Sequence, residues 1–93
     1  MDDASARNVA TIVNKRGLHA RASAKFVETV ARFQSEVTVK KDGAAVSGRS
    51  IMGLMMLGAA MGTMIEISAT GADAEDAVAA LSRLIAAKFY EDA

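Results

Sequence analysis

His19 is the only histidine in the chain, and it lies where turn-like residues give way to a helix-forming stretch. The good helix formers from Ala20 to Val30 predict that a helix starts at or near His19. The first backbone N–H groups of a helix lack intrahelical partners and favour an anion. The same field disfavours an imidazolium, so we expect a neutral ring with the free lone pair of a nucleophile. This placement predicts an imidazole that carries a phosphoryl group.

Arg21 follows two residues later and offers planar, permanently charged donors that suit phosphoryl oxygens. Phosphoryl transfer depends mainly on position and charge stabilisation, so we expect Arg21 to stabilise a group carried by His19. The plainer alternative is that His19 is a polar helix cap and Arg21 an exposed solubilising charge. A His-X-Arg triplet alone does not separate the two interpretations.

Composition narrows the class of protein. The 93 residues, 52% of them hydrophobic, predict a single domain over residues 1–93 with residues 1–7 as a short polar tail. Eleven basic residues balance eleven acidic ones, which argues against a nucleic-acid partner. Without cysteine, and with one histidine, we expect no metal and no cofactor. The acidic start is unlike a secretory signal, which favours the cytoplasm.

Hydrophobic periodicity predicts the order βαββαβα. A first strand is expected over Asn8–Asn14, a helix from His19, and two strands joined at an Asp42-Gly43 turn. A short helix over Ser50–Leu57 and a strand over Met64–Ala69 follow. Asp73 is expected to cap a last helix whose buried face extends to Phe89. This order indicates an α+β sandwich with helices on one face of an antiparallel sheet.

The short segment after Ser50 is more apolar than one buried face requires. Ile51 and Met55 share a face, with Met52 beside it, whereas Leu54, Leu57 and Ala60 are expected to point to the core. Flexible methionines suit an exposed surface that adapts to several partners, although a wholly buried helix fits the pattern equally well. The run is too short to cross a bilayer. Ser50 is a natural cap, and a phosphate there would disturb an apolar docking surface.

From Val9 to Phe89 the chain resembles HPr, the histidine-containing phosphocarrier family of the bacterial phosphoenolpyruvate-dependent phosphotransferase system. The likeness rests on two separated motifs, Gly17-Leu18-His19-Ala20-Arg21 and Ser50-Ile51-Met52-Gly53-Leu54-Met55, followed by Ala69-Thr70-Gly71-Ala72-Asp73. It implies an open-faced sandwich of a four-stranded antiparallel sheet and three helices. One position departs from the family motif, because Ala22 stands where proline is usual. Alanine keeps helix propensity but does not preset φ.

The resemblance also implies partners and roles. His19 would be phosphorylated at Nδ1 by enzyme I and would pass the group to an enzyme IIA, with Arg21 at the phosphoryl site. Ile51, Met52 and Met55 would dock both partners. Ser50 matches a regulatory serine that a dedicated kinase/phosphorylase modifies in some bacteria. A monomer is expected.

Three functional hypotheses follow. In the first, the protein is a phosphocarrier, which forms a covalent phosphohistidine but is not itself an enzyme, because partner enzymes provide the turnover. In the second, it is a regulatory binding module of the nitrogen-related branch of this system, which signals by the phosphorylation state of His19. In the third, it is a small structural or phosphate-binding domain in which His19 only caps a helix. The paired motifs favour the first.

Overall fold

The computed structural model describes residues 4–92. Its four strands are β1 (Ser5–Thr11), β2 (Glu36–Lys41), β3 (Ala44–Ser47) and β4 (Met64–Thr70). Its three α-helices are α1 (Ala20–Val30), α2 (Ile51–Met56) and α3 (Ala74–Ala86), and a single helical turn at Lys88–Tyr90 follows α3. The predicted order βαββαβα is confirmed.

The strands form one antiparallel sheet in the order β1-β4-β2-β3. Helices α1 and α3 pack on each other, and α3 also packs on the two neighbouring strands β1 and β4. The core between the layers includes Phe26 of α1, Ile67 of β4 and Leu81 of α3, each with no exposed surface. The chain is therefore an α+β open-faced sandwich with three helices over one face of a four-stranded sheet, as predicted.

The turn between β2 and β3 is the predicted two-residue hairpin turn. Asp42 and Gly43 have φ of 50° and 83°, so both lie in the left-handed region that such turns require. Asparagine, aspartate and glycine adopt this region with the least strain, which explains why the Asp-Gly pair is found here.

The first strand begins earlier than predicted. It runs from Ser5 to Thr11 rather than over Asn8–Asn14, because β4 offers seven residues for pairing and its last residue, Thr70, lies opposite Ser5. The predicted polar tail over residues 1–7 is correspondingly shorter, and residues 1–3 lie outside the described residues. Asn14 follows the strand in a loop and is fully buried.

The ends of α3 also differ from the prediction. Asp73 is the residue before the helix, but its carboxylate forms no capping bond to the first turn. Instead it accepts hydrogen bonds from the backbone N–H groups of Gln34 and Ser35 and from the Ser35 hydroxyl. It thereby ties the loop before β2 to the start of α3. At the other end, the helix stops at Ala86, and Phe89 reaches the core from the turn beyond it.

Within the described part of the chain, no helix is both long enough and apolar enough to cross a membrane.

The Asp73 contacts predict how stability changes with acid. The Ser35 hydroxyl and the Gln34 N–H hold the pKa of Asp73 below its ordinary value of 3.8. A carboxyl with a depressed pKa stabilises the fold above its unfolded value, and this stabilisation is lost as pH falls through the folded value. We therefore expect Asp73→Asn to lower the melting temperature by several degrees at pH 7, and the difference from the native protein to narrow below about pH 3.8.

Asp42→Asn is the matched control, because it makes the same change at an exposed turn that asparagine tolerates. Thermal unfolding followed by circular dichroism from pH 2 to pH 7 provides the measurement. An Asp73→Asn deficit that stays constant across this range would contradict the assignment.

Candidate functional site

His19 occupies the N-cap position of α1 in extended backbone conformation, as predicted. Its carbonyl accepts the first helical bond, from the Ser23 N–H at 2.9 Å. Its side chain does not cap the helix, so it leaves the N–H groups of the first turn free of a side-chain acceptor. The ring therefore lies beside unsatisfied amide donors and the positive end of the helix dipole.

The loop before His19 is fixed against the segment that follows α2. The Leu18 N–H donates to the Ala59 carbonyl at 2.9 Å, and Leu18 is buried. Gly17 has φ of +66°, and a Cβ there would lie 2.3 Å from the Ala59 oxygen. A side chain would be strained in this conformation, and only glycine leaves room for this close approach, so Gly17 is required for the position of the histidine.

A carboxylate from the far end of the chain contacts the imidazole. Glu91 Oε2 accepts a hydrogen bond from His19 Nε2, and Glu91 Oε1 accepts one from Asn14 Nδ2 at 3.0 Å. Asn14 is held in turn, because its Nδ2 also donates to the Gly17 carbonyl at 2.8 Å. The His19 and Glu91 side chains are only 16% and 11% exposed. The ring is thus anchored through Nε2 in a largely buried cluster.

The Glu91 carboxyl is ionised at neutral pH. Burial raises its pKa, but the hydrogen bonds from Asn14 and His19 and the positive charges of the protonated His19 ring and of Lys25 lower it by more. The net result is a pKa below the ordinary value of 4.5. Because an ionised carboxylate can only accept hydrogen bonds, the hydrogen in the contact belongs to Nε2 of the imidazole.

Basic side chains surround a hollow beside this cluster. Arg21 is exposed and lines an open hollow of about 310 Å³, whose lining residues are Lys15, Arg16, Arg21, Lys25, Tyr90, Glu91 and Asp92. His19 lines a second hollow of about 230 Å³ with Leu18 and the 58–60 segment. Arg16 lines both hollows, and Glu91 links the first of them to the ring. The hollow is a concentration of positive charge suited to an anion.

Ser50 is the N-cap of α2, as predicted. Its Oγ accepts a hydrogen bond from the Gly53 N–H at 2.9 Å, and the residue is half-buried. The hydroxyl therefore already has a structural role in holding the first turn of this short helix.

The surface of α2 beyond Ser50 is exposed and apolar. Ile51 and Met55 are each 40% exposed and Met52 is 68% exposed, whereas Leu54 and Leu57 are buried. We call Ile51, Met52 and Met55 the apolar surface of α2. The alternative of a wholly buried helix is wrong. The prediction that Ala60 points to the core is also wrong, because the chain turns after α2 and Ala59 is buried instead.

Glu91 and Asn14 are the site residues that the sequence reasoning missed. Glu91 lies 72 positions from His19, and nothing in its local sequence indicates the contact. Asn14 is a polar residue in a predicted loop, yet it is fully buried. Residues 4–92 contain no group of three or more histidine, cysteine or acidic side chains that could hold a metal ion.

Fold and site together define a class of protein: a small α+β domain that presents one histidine at a helix start, beside a basic hollow. The family model described as the PTS HPr component phosphorylation site matches residues 6–87. The chain belongs to the HPr family, the phosphocarriers of the phosphotransferase system.

Proteins that are similar to this chain in sequence and in structure are also HPr proteins. The phosphocarrier protein HPr of Neisseria meningitidis serogroup A is 56% identical over 80 residues, which are 86% of this chain and 90% of that protein. The crystal structure of HPr-C-His from Thermoanaerobacter tengcongensis superposes with a TM-score of 0.90 at 44% identity, over 95% of this chain and 99% of that one. An HPr dimer from the same organism is also similar, with a TM-score of 0.75 at 49% identity, over 86% and 92% of the two chains.

The Gly17 geometry predicts a site-specific loss of stability. Gly17→Ala and Gly58→Ala form a matched pair, because the two glycines have φ of +66° and +65° but only Gly17 would place its Cβ against another backbone. The free energy of unfolding should fall by about 1–2 kcal/mol in both variants, because alanine is strained in the left-handed backbone conformation. Gly17→Ala should lose a further 1–3 kcal/mol, roughly, because the Ala59 segment must shift.

Urea unfolding of the two variants measures the difference. Equal losses of free energy of unfolding would show that the contact between Gly17 and Ala59 is not a constraint on the loop that carries His19.

Proposed function

We propose that this protein accepts a phosphoryl group from phosphorylated enzyme I on His19 and transfers it to an enzyme IIA. The proposal is carried by one observation: the single imidazole lies at the start of α1 with Nε2 bonded to Glu91, which leaves Nδ1 as the nitrogen for the reaction. Membership of the HPr family supports the same reaction class.

The transfer requires no cofactor. The Nδ1 lone pair attacks phosphorus as the P–N bond of the donor's phosphohistidine breaks, and the donor ring keeps that bonding pair. The hydrogen on Nε2 stays in place, so the phosphorylated ring is cationic and faces the Glu91 carboxylate. Transfer to enzyme IIA reverses these changes. The protein therefore forms a covalent intermediate, while turnover belongs to its partners.

Arg21 and the first-turn amides are the groups that would stabilise the phosphoryl oxygens. Arg21 is exposed on the first turn of α1, on the same short segment as His19, so its long side chain can turn toward the ring. Lys15, Arg16 and Lys25 add positive charge in the adjoining hollow. This charge favours the transferred group, and it also favours an acidic surface on the partner.

The apolar surface of α2 would dock enzyme I and enzyme IIA in turn. Exposed methionines are flexible and polarizable, which suits a surface that must bind two different partners. Phosphorylation of Ser50 by a kinase would place two negative charges at the edge of this surface. The added charge would oppose apolar contacts there, so we propose Ser50 as a site whose phosphorylation weakens docking.

The expected setting is the cytoplasm, where the donor and acceptor proteins of this system would meet the carrier. We propose that the monomer is the form that carries the group, because both His19 and the apolar surface of α2 then remain accessible.

Phosphorylation of His19 is the direct test of the proposal. Incubation with enzyme I, Mg²⁺ and phosphoenolpyruvate should give one acid-labile phosphate per molecule, and His19→Ala should take up none. An absence of label on the folded native protein, with enzyme I active on another carrier, would refute the carrier function.

Arg21→Ala should slow this phosphorylation about 10- to 100-fold, the loss expected for a charged hydrogen bond worth about 1.5–3 kcal/mol. The melting temperature should hardly change, because Arg21 is exposed. Arg32→Ala is the matched control, since Arg32 is exposed beyond the opposite end of α1. Rapid-quench kinetics provides the rates. Equal rates for the two variants would show that Arg21 does not stabilise the phosphoryl group.

Met55→Asp should raise the KM of enzyme I for this carrier about tenfold with little change in kcat, because a charge replaces part of an apolar contact. Met64→Asp is the control, since Met64 is also exposed but lies on β4. Protein with phosphoserine incorporated at position 50 should behave like Met55→Asp. If Met64→Asp raises KM as much as Met55→Asp, docking does not use the apolar surface of α2.

A further inference from the structure

The chain beyond α3 adopts a conformation that L-amino acids avoid. Lys88, Phe89 and Tyr90 have φ of 58°, 54° and 61°, so three consecutive residues, none of them glycine, lie in the left-handed region. Single residues visit this region in turns, but successive ones are rare because each Cβ crowds the following carbonyl. Such a turn persists only where surrounding contacts hold it.

Phe89 makes two tertiary contacts that hold this turn. The Phe89 side chain has no exposed surface and belongs to the hydrophobic core. The Phe89 carbonyl accepts a hydrogen bond from Lys25 Nζ of α1 at 2.5 Å. The turn thus fastens the end of the chain to the helix that starts at His19, and the next residue is Glu91.

Glu91 then uses both carboxylate oxygens within the site. One oxygen accepts from Asn14, which is itself fixed to Gly17, and the other accepts from Nε2 of His19. The two ring nitrogens are therefore unequal: Nε2 is bonded to a carboxylate, and Nδ1 is not part of that contact. A carboxylate that holds hydrogen on one nitrogen leaves the lone pair of a neutral imidazole on the other.

We propose that Glu91 is a positioning residue that selects the reacting nitrogen of His19, with the left-handed turn at Lys88–Tyr90 as the device that presents it. This inference deepens the proposed carrier function and rests on it for its biological meaning. In the free protein Glu91 fixes the tautomer with hydrogen on Nε2. During transfer it keeps phosphorus away from Nε2 and faces the positive charge that the ring acquires.

Several charged groups share this environment and must be kept constant in any test. Arg21 and Lys25 approach from α1, Lys15 and Arg16 from the loop before it, and Asp92 follows Glu91 in the chain. Asp92 is exposed and supplies a matched carboxylate one residue away. Asp92→Ala therefore controls for the loss of one negative charge near the hollow.

The first measurement needs no partner protein. Nitrogen-15 NMR of the imidazole at a pH where the ring is neutral should show hydrogen on Nε2 in the native protein and in Asp92→Ala. In Glu91→Ala the tautomer with hydrogen on Nδ1 should gain about tenfold in population relative to the other, the effect expected on loss of a charged hydrogen bond. Glu91→Gln, which keeps the size but can donate as well as accept, should give an intermediate ratio.

The second measurement uses potassium phosphoramidate, a small phosphoryl donor, with 31P NMR to identify the modified nitrogen. The P–N bond of the donor breaks, ammonia leaves, and a bond from phosphorus to the ring nitrogen forms. The native protein and Asp92→Ala should be modified at Nδ1, whereas Glu91→Ala should show about a tenfold larger share at Nε2. A share at Nε2 in Glu91→Gln that lies between those of the native protein and Glu91→Ala would separate positioning from a general structural effect.

The two proposals can fail separately. Modification of the native protein at Nδ1 by phosphoramidate without labelling by enzyme I would refute the carrier function but support the role of Glu91. Unchanged tautomer ratios and unchanged modification sites in Glu91→Ala would overturn the role of Glu91 and leave the carrier function intact. If Glu91→Ala does not fold, Glu91→Gln decides by the same two measurements, and native behaviour in both would overturn the inference.

Discussion

The central constraint in this structure is that one imidazole is held from two sides. Its backbone is the N-cap of α1, and its Nε2 is bonded to Glu91 from the end of the chain. The first attachment places the ring beside unsatisfied amides, and the second bonds Nε2 and leaves Nδ1 outside that contact. Neither is enough alone, because a ring free to rotate would offer either nitrogen. Such preorganisation favours a group-transfer reaction, because the ring loses little conformational freedom when it reaches the transition state.

The site combines groups that attract an anion with a carboxylate that opposes one. The helix start and the basic hollow favour an anion, whereas the Glu91 carboxylate places a negative charge on the opposite edge of the ring. A carrier needs this balance, because a site that only attracted phosphate would not give it up. In the proposed reaction the carboxylate would also face the cationic form of the modified ring, so it would stabilise the charge on nitrogen rather than the phosphate itself.

Local sequence patterns predict correctly the features that depend on residues close together in the chain. The start of α1 at His19, the Asp42-Gly43 turn and the Ser50 cap all depend on neighbours within a few residues, and the structure has each of them. The four-stranded sheet followed from the order of elements and from the family resemblance. The errors lie where distant contacts decide. The first strand starts at Ser5 because of its partner Thr70, and the Asp73 carboxylate binds the loop at Ser35 rather than its own helix.

The largest omission was Glu91, whose role depends on three left-handed residues that no propensity predicts. Phe89 was expected on the face of α3, and it is buried, but it reaches the core after the helix has ended. That change of direction brings Glu91 to the histidine. Local sequence therefore predicts the helix amides around His19 but not the carboxylate on the other edge of the ring.

One measurement on the native protein tests this account most directly. The protein should be labelled with nitrogen-15, phosphorylated with enzyme I and phosphoenolpyruvate, and observed by NMR for one-bond coupling between phosphorus and nitrogen. The account predicts coupling to Nδ1 with the hydrogen retained on Nε2. Coupling to Nε2, or a phosphoryl group on any residue other than His19, would contradict it.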